Sequence, residues 1–323
     1  MTALGLAAAI VATLAVGAER PARSPAVASQ GSRVLRVGPQ AEFRSLAQAA
    51  YSARDNDTIE IASGTYRECA VWWQSNLTIV AVGPVVLAET VCERKAIFVT
   101  RGHDITIRGI TFTGAKAYFN NGAGIRAEGR NLTVENSTFF DNEEGILTSG
   151  NPDSTITIRN STFTKNGNCL QDCAHGIYAG RIKELRIEGS GFTNQKIGHH
   201  VKSRALRTVL IGNTIRDGIE GTASYLVDIP NGGALIMRDN TLEKGRLTDN
   251  PDVAITLGEE GNSNVTPEIV IENNRFTNSM PTPTIFVRNR TETNAVLRGN
   301  TLSGKVVPLT GPGMVEGGNF ERQ

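Results

Sequence analysis

The sequence predicts an all-β chain wound into a parallel β-helix, with a short helical cap at its N-terminal end. Three observations lead there. Aromatic residues are only 6% of the 323 while glycine occurs 34 times, a balance that suits many short strands and tight turns. One motif recurs along the chain, as ITIRGITF, LTVENSTF, ITIRNSTF, LRIEGSGF, TVLIGNTI, LIMRDNTL, IVIENNRF and AVLRGNTL. Each copy is an alternating strand, a Gly/Asn/Ser turn and an apolar closing residue. Finally, the position two before the closing residue reads Ile110, Ser137, Ser161, Ser190, Asn213, Asn240, Asn274 and Asn300. Stacked Asn and Ser at one turn can hydrogen-bond along the stack.

The closing residues are Phe112, Phe139, Phe163, Phe192, Ile215, Leu242, Phe276 and Leu302, spaced by 27, 24, 29, 23, 27, 34 and 26. A constant motif at variable spacing means one coil per repeat, with loops of unequal length at a corner. No coil can bury its apolar face alone, so the coils stack about 4.8 Å apart. A propeller would need longer, four-stranded units.

From the N-terminus, residues 3 to 18 are almost wholly apolar, and small residues follow at Val16-Gly17-Ala18 and Ala26-Val27-Ala28. Residues 1–28 read as a signal peptide or N-terminal anchor, although no Lys or Arg precedes the apolar run. Sixteen apolar residues are short for a span, which takes about 20. No later segment is apolar enough to cross a membrane, so a periplasmic or secreted protein is expected. The β-helix domain is placed at 33–323. It opens on its cap: Ser45 caps a short amphipathic helix through Ala53, and Thr58 to Ile61 begin a strand.

The four cysteines suit an exported chain. Cys69 and Cys92 lie 23 apart, close to one coil, so they can face each other on neighbouring coils. Cys169 and Cys173 bracket CLQDC and can close a small ring.

After each Asn turn comes a second strand, in GIRAEG, GILTSG, GIYAGR, HVKSRA, LVDIPN, AITLGE and IFVRNR. Ile125, Ile146, Ile177, Val201, Val227, Ile255 and Phe286 should point inward. Alternation then turns Arg126, Leu147, Tyr178, Lys202, Asp228, Thr256 and Val287 outward. His200, following Gly124, Gly145 and Gly176, is expected outward too, over a floor the glycines leave open. Arg204 projects on that side, and His175 and His199 share a phase and should stack. Tyr178, Lys202 and Asp228 therefore become vertical neighbours. Three of the four histidines gather with them.

Such a patch can be an exposed ion pair and satisfied turn residues, or a site. Lys+Arg number 33 and Asp+Glu 32, so the net charge of +1 argues against nucleic-acid binding. Any anion preference must be local. Arg126, Lys202 and Arg204 against Asp228 make the patch positive, which suits an acidic polysaccharide. In β-elimination a base removes the proton beside the carboxyl group and an acid protonates the departing oxygen. Lys202, His199 or His200 can be the base, Tyr178 the acid. Arg126 or Arg204 would neutralise the carboxylate, with His175, Asp228 and Asn231 as further substrate contacts.

These residues also carry a resemblance. The cap and coils, roughly 33 to 310, resemble secreted right-handed parallel β-helix proteins of the pectate-lyase-like superfamily, a fold that hosts lyases, hydrolases, epimerases and adhesins. The stretch HVKSRALRTVLIGNTIRDGIEGTASYLVDIPNGG resembles the alginate lyase and chondroitinase B type polysaccharide lyases around their catalytic lysine. Lys202-Ser203 and Asn213-Thr214 match, so Lys202 would take the basic lysine's role. The family's Arg-His pair falls on Asp228-Ile229, so Arg204 or a histidine has to carry that charge.

The reading is a polysaccharide lyase acting on a uronate polymer. Its alternatives are a non-catalytic carbohydrate-binding or envelope-assembly protein, and a C5-epimerase, of whose Asp-Pro-His-Asp motif Asp228-Ile229-Pro230-Asn231 is a poor echo. Arg181-Ile182-Lys183 resembles a polygalacturonase tripeptide but lacks an Asp-Asp pair. No metal site or cofactor is expected: calcium would need Asp228, Glu128 and Glu144 brought together, and no zinc spacing occurs. A monomer is expected.

Overall fold

The computed structural model describes residues 32–170 and 172–321. Residues 1–28, read above as a signal or anchor, lie outside them. Ser32–Gln323 forms one compact unit, a right-handed parallel β-helix. No helix among the described residues is long and apolar enough to cross a membrane. The cap forms as its sequence dictates. Ser45 accepts from the Gln48 amide at the start of helix Leu46–Ser52, which buries Leu46, Ala49 and Ala50. Strand Thr58–Tyr66 follows.

The coils build two stacks of parallel strands. The smaller sheet, here the groove sheet, has ten among the described residues, taken in sequence order from Ala70–Trp72 to Val306–Thr310. Its inward register runs Ile125, Ile146, Ile177, Val201, Val227, Ile255. The larger sheet folds around the Asn/Ser corner. Leu132–Glu135 and Thr138–Phe140 flank it, whereas Ile105–Thr113 runs through it and pairs with both.

At that corner the residue before each Ser or Asn is left-handed: Asn136, Asn160, Gly189, Gly212, Asp239, Asn273 and Gly299 all have φ between 48° and 63°. Such a bend exposes the next amide to the coil beside it. The amides of Ser137, Ser161, Ser190, Asn213, Asn240 and Asn274 each donate to the side-chain oxygen of the next coil's Ser or Asn, at 2.9 to 3.2 Å. The asparagines add a bond: Asn240 Nδ2 donates to the Leu210 carbonyl at 2.9 Å, which an Ser cannot reach. The ladder thus satisfies backbone that would otherwise be buried without partners.

Inside, the closing residues stack. Phe139 lies 4.6 Å from Phe163, and Phe163 4.6 Å from Phe192, with rings nearly parallel. Outside, the larger sheet carries a ladder of alternating charge through Arg108, Glu135, Arg159 and Glu188. The disulfide Cys69–Cys92 ties neighbouring coils, and Cys169–Cys173 closes its small loop.

Two expected orientations are corrected. Gly124 and Gly145 back onto the phenylalanines, since a Cβ would fall 2.7 Å from Phe139 and 2.9 Å from Phe163. They floor no groove. His200, at the same phase, is likewise interior: it is buried, with Nε2 3.0 Å from the buried Asp217 carboxylate. It cannot meet a polymer. In the Thr284–Asn289 strand the phase differs by one, because Val287 pairs with Ile255 and Arg288 with Thr256. Val287 is buried and Arg288 is the outward residue.

Asn240→Ala should strip the Asn213 amide and the Leu210 carbonyl of partners and cost about 2–4 kcal/mol, read as a fall in urea midpoint. Asn240→Ser should recover about half, since serine keeps the amide bond. Equal loss in both variants would show that volume, not the ladder, matters at this corner.

Candidate functional site

Register brings the expected residues onto one face. Tyr178 pairs with Lys202, and Lys202 with Asp228. One residue group earlier in each coil, a second column reads Glu144, His175, His199 and Tyr225. His175 stacks on His199 with centroids 4.7 Å apart, and His199 on Tyr225 at 4.9 Å. Arg204 reaches across the same face from just beyond the end of strand Val201–Ser203. Its Nε donates to Tyr178 Oη at 2.7 Å, and Nη1 is bonded to Asn231 Oδ1. Arg126 stands apart: Leu147 separates it from Tyr178 in the register, and its nearest carboxylate is Glu128, at 3.7 Å. Glu128 in turn belongs to Lys95 and Arg101.

The face is more enclosed than an exposed ledge. The Lys202 side chain is 11% exposed and that of Asp228 only 3%. The reason is a loop that follows strand Val253–Leu257. Its Glu260 sends Oε1 to Lys202 Nζ at 2.8 Å and Oε2 to Arg204 Nη2 at 2.6 Å. Asp228 Oδ2 lies 3.4 Å from the same Nζ. The expected positive excess is therefore corrected: Lys202 and Arg204 meet two carboxylates, Asp228 and Glu260, and the cluster is balanced.

Backbone contacts set the state of the histidines. The His199 amide donates to His175 Nδ1 at 3.0 Å, and the Tyr225 amide donates to His199 Nδ1 at 3.2 Å. An amide can only donate, so each Nδ1 must be an acceptor and each neutral ring carries its proton on Nε2. His199 Nε2 lies 3.5 Å from Asp228 Oδ2, aimed at a carboxylate. Burial pushes the His199 ring down from 6.5 to about 3, with Lys202 adding to it. Burial also holds His175 well below its usual value, helped by His199. His199 thus corrects the expectation of an imidazole base. Its Nε2 is already protonated and its Nδ1 is taken, so it serves as a neutral donor.

The carboxyls move the other way. Burial raises Asp228 to about 6, against the opposing pull of Lys202. Glu144, buried at the head of the second column, is raised well above 4.5 by burial, with the His175 amide, Arg126 and Lys202 opposing. Glu260, half in solvent, is lowered by its bonds to Lys202 and Arg204 in spite of partial burial.

Glu260 and Tyr225 are not among the residues the sequence singles out, and Glu144 enters there only as a possible calcium ligand. For the last two a signal existed: Glu144-Gly145-Ile146, His175-Gly176-Ile177, His199-His200-Val201 and Tyr225-Leu226-Val227 share one phase. Glu260 lies in the longest coil, whose spacing of 34 marks an inserted loop, but spacing does not tell where a loop folds back.

Protonation of the stacked histidines should govern acid stability. Below about pH 6.5 the unfolded chain takes up protons that the folded rings refuse. The stability they contribute is present above that value and lost as pH falls toward about 3. Asp228 acts oppositely, stabilising most below 3.8 and fading as pH rises through about 6. Urea midpoints should fall between about pH 6 and 4, and His199→Gln should flatten the slope by roughly 1.4 kcal/mol per pH unit. Nitrogen NMR should report the Nε2–H form of His199 at about pH 5. A charged ring there would refute the assigned state.

Among solved structures the chain is similar to pectate lyase Pel9A, at 13% identity over 90% of this chain and 79% of that one, with a TM-score of 0.45. An alginate lyase from Paenibacillus sp. str. FPU-7 gives 15% identity, 89% and 99% coverage and a TM-score of 0.44. The A-module of the Azotobacter vinelandii mannuronan C-5 epimerase AlgE6 gives 14%, 84%, 92% and 0.36. At these identities the likeness concerns the fold. Comparison with curated proteins finds no match. Two family profiles do match, the right handed beta helix region over residues 153–319 and periplasmic copper-binding protein (NosD) over residues 41–229. With more than half its length matched, the chain belongs to the NosD family of β-helix proteins.

Proposed function

We propose that the groove sheet binds an acidic polysaccharide along the coils and cleaves it by β-elimination at Tyr178, Lys202 and Arg204. One observation carries the reading: Tyr178, Lys202 and Asp228 stand in register on one face, with Arg204 joined to the Tyr178 hydroxyl oxygen at 2.7 Å. Arg204 faces the uronate carboxylate and withdraws charge from it. Lys202, once neutral, takes the proton from the carbon beside that carboxylate. The electron pair forms the carbon–carbon double bond, the bond to the glycosidic oxygen breaks, and Tyr178 gives that oxygen its proton. Arg204 donates to the phenol oxygen, so the phenol's own hydrogen is free for this. Asp228 holds Lys202 from behind, and the Nε2–H of His199 is aimed at the same Asp228 oxygen. Asn231 and, further along the groove, Arg126 contact the chain, whereas the buried His175 supports His199 by stacking.

The NosD name implies copper. The donors of this face do not fit it. All four cysteines are in disulfides, both stacked histidines give Nδ1 to backbone amides, and no three His, Cys, Asp or Glu side chains gather suitably among the described residues. Calcium fares no better, since Glu128 is held by Lys95 and Arg101, and Glu144 and Asp228 are apart from it. The periplasmic family and the two disulfides support a periplasmic or secreted location.

A second reading is favoured by Glu260 and the histidines. With both cations ion-paired and both imidazoles fixed, the same groove can bind a polysaccharide without turning it over. Alginate, polygalacturonate and glycosaminoglycans, followed by the ultraviolet absorbance of unsaturated ends, separate the two. Lys202→Ala and Tyr178→Phe should each lower turnover by about 100-fold or more, with binding kept in Tyr178→Phe. Binding with no absorbance change on any of these polymers leaves the binding protein and removes the lyase. Inverted uronate stereochemistry without cleavage would point to an epimerase.

A further inference from the structure

The geometry points to Lys202 and Arg204 as a two-cation fork for one sugar carboxylate, which Glu260 of the same chain fills as an internal competitor until a uronate displaces it. The inference rests on the polysaccharide-binding part of that reading, with Lys202 charged in the bound complex before any proton is moved, and adds which group the ligand must carry and what it must expel.

Three features lead to it. The Glu260 carboxylate is divided between the fork, one oxygen to Lys202 Nζ at 2.8 Å and the other to Arg204 Nη2 at 2.6 Å, as a bound uronate would be. The fork is built without Glu260. Arg204 is held by Tyr178 through Nε and by Asn231 through Nη1, and Lys202 is held beside Asp228. Removing the Glu260 side chain therefore leaves the cations in place. Lys202 and Arg204 less Asp228 then give one net positive charge, matched to one carboxylate.

Glu260, in contrast, is attached loosely enough to leave. Its side chain is 45% exposed, against 11% for Lys202 and 25% for Arg204. The loop itself is pinned by backbone, through Glu260 N to the Pro230 carbonyl at 2.8 Å and Gly261 N to the Gly258 carbonyl at 3.2 Å. The side chain can swing out while the loop stays.

This arrangement would select for charge. A uronate exchanges one carboxylate for another on the same two cations. A neutral sugar that pushed Glu260 aside would leave Lys202 with Asp228 alone and Arg204 with no carboxylate, so one positive charge would stand uncompensated in a partly buried site, a costly state. The fork thus admits acids and refuses their neutral counterparts, at some expense in affinity.

The test compares wild type with Glu260→Gln and Glu260→Ala, titrated with sodium acetate by NMR and, by calorimetry, with a uronate oligomer and its carboxyl-reduced counterpart. Both variants should bind acetate and the uronate oligomer about tenfold tighter than wild type, with no gain for the reduced oligomer. If the variants gain for acetate but nothing binds either oligomer, the fork stands and the polysaccharide reading falls. If wild type and variants bind the uronate oligomer equally, the polysaccharide reading stands and the competitor is overturned. An equal gain for charged and reduced oligomers would likewise overturn it, because Glu260 would then be only a steric obstacle. No binding of acetate or oligomer by any form removes both.

Discussion

The structure depends on each coil's finding its hydrogen-bond partners in the coil beside it. A single coil has nothing to pair with and no core. Stacked coils satisfy one another, and the corner is where this is hardest, because the backbone turns through a left-handed residue and its amide would be orphaned. The Ser and Asn side chains close that gap from coil to coil, from Ser137 to Asn300. Once the corner is fixed, so is the register of both sheets, since a slip of one residue would carry every apolar side chain to the wrong face.

Register then creates the chemistry. Tyr178, Lys202 and Asp228 are 24 and 26 residues apart in sequence yet adjacent in the sheet. The stacked His175 and His199 follow from the same rule, and so does their protonation. The coil that places one ring above the other also places the next amide against Nδ1. A backbone that must be satisfied takes the histidine nitrogen as its acceptor and holds the ring neutral. Scaffold and site are one hydrogen-bond system here.

Burial accounts for the rest of the electrostatics. Taking Asp228, Glu144, His175 and His199 out of water disfavours their charged forms, and these four lie together on this one face. Lys202 and Arg204 are ion-paired with carboxylates, one from the sheet and one from the Glu260 loop. The loop closes the face and balances it at once. Asp217 and His200 show the same economy in the interior, where neither is left without a partner carboxylate or imidazole.

The coil is legible in the residues alone. Period, closing residues, the Ser/Asn turn and the cap at Ser45 are local features, and each coil repeats the same local conditions, so the fold, both disulfides and the Tyr178–Lys202–Asp228 alignment could be read without coordinates. Alternation failed where a strand bends. His200 and Gly124 precede the inward residue yet also face inward, because the bend puts two successive side chains on one side. Position along a strand cannot reveal that. Where the inserted loop returns, and thereby that Glu260 meets Lys202 from 58 residues away, emerges only in the folded chain. A loop's path is set by the partners it finds, and those partners exist only after the coils have stacked.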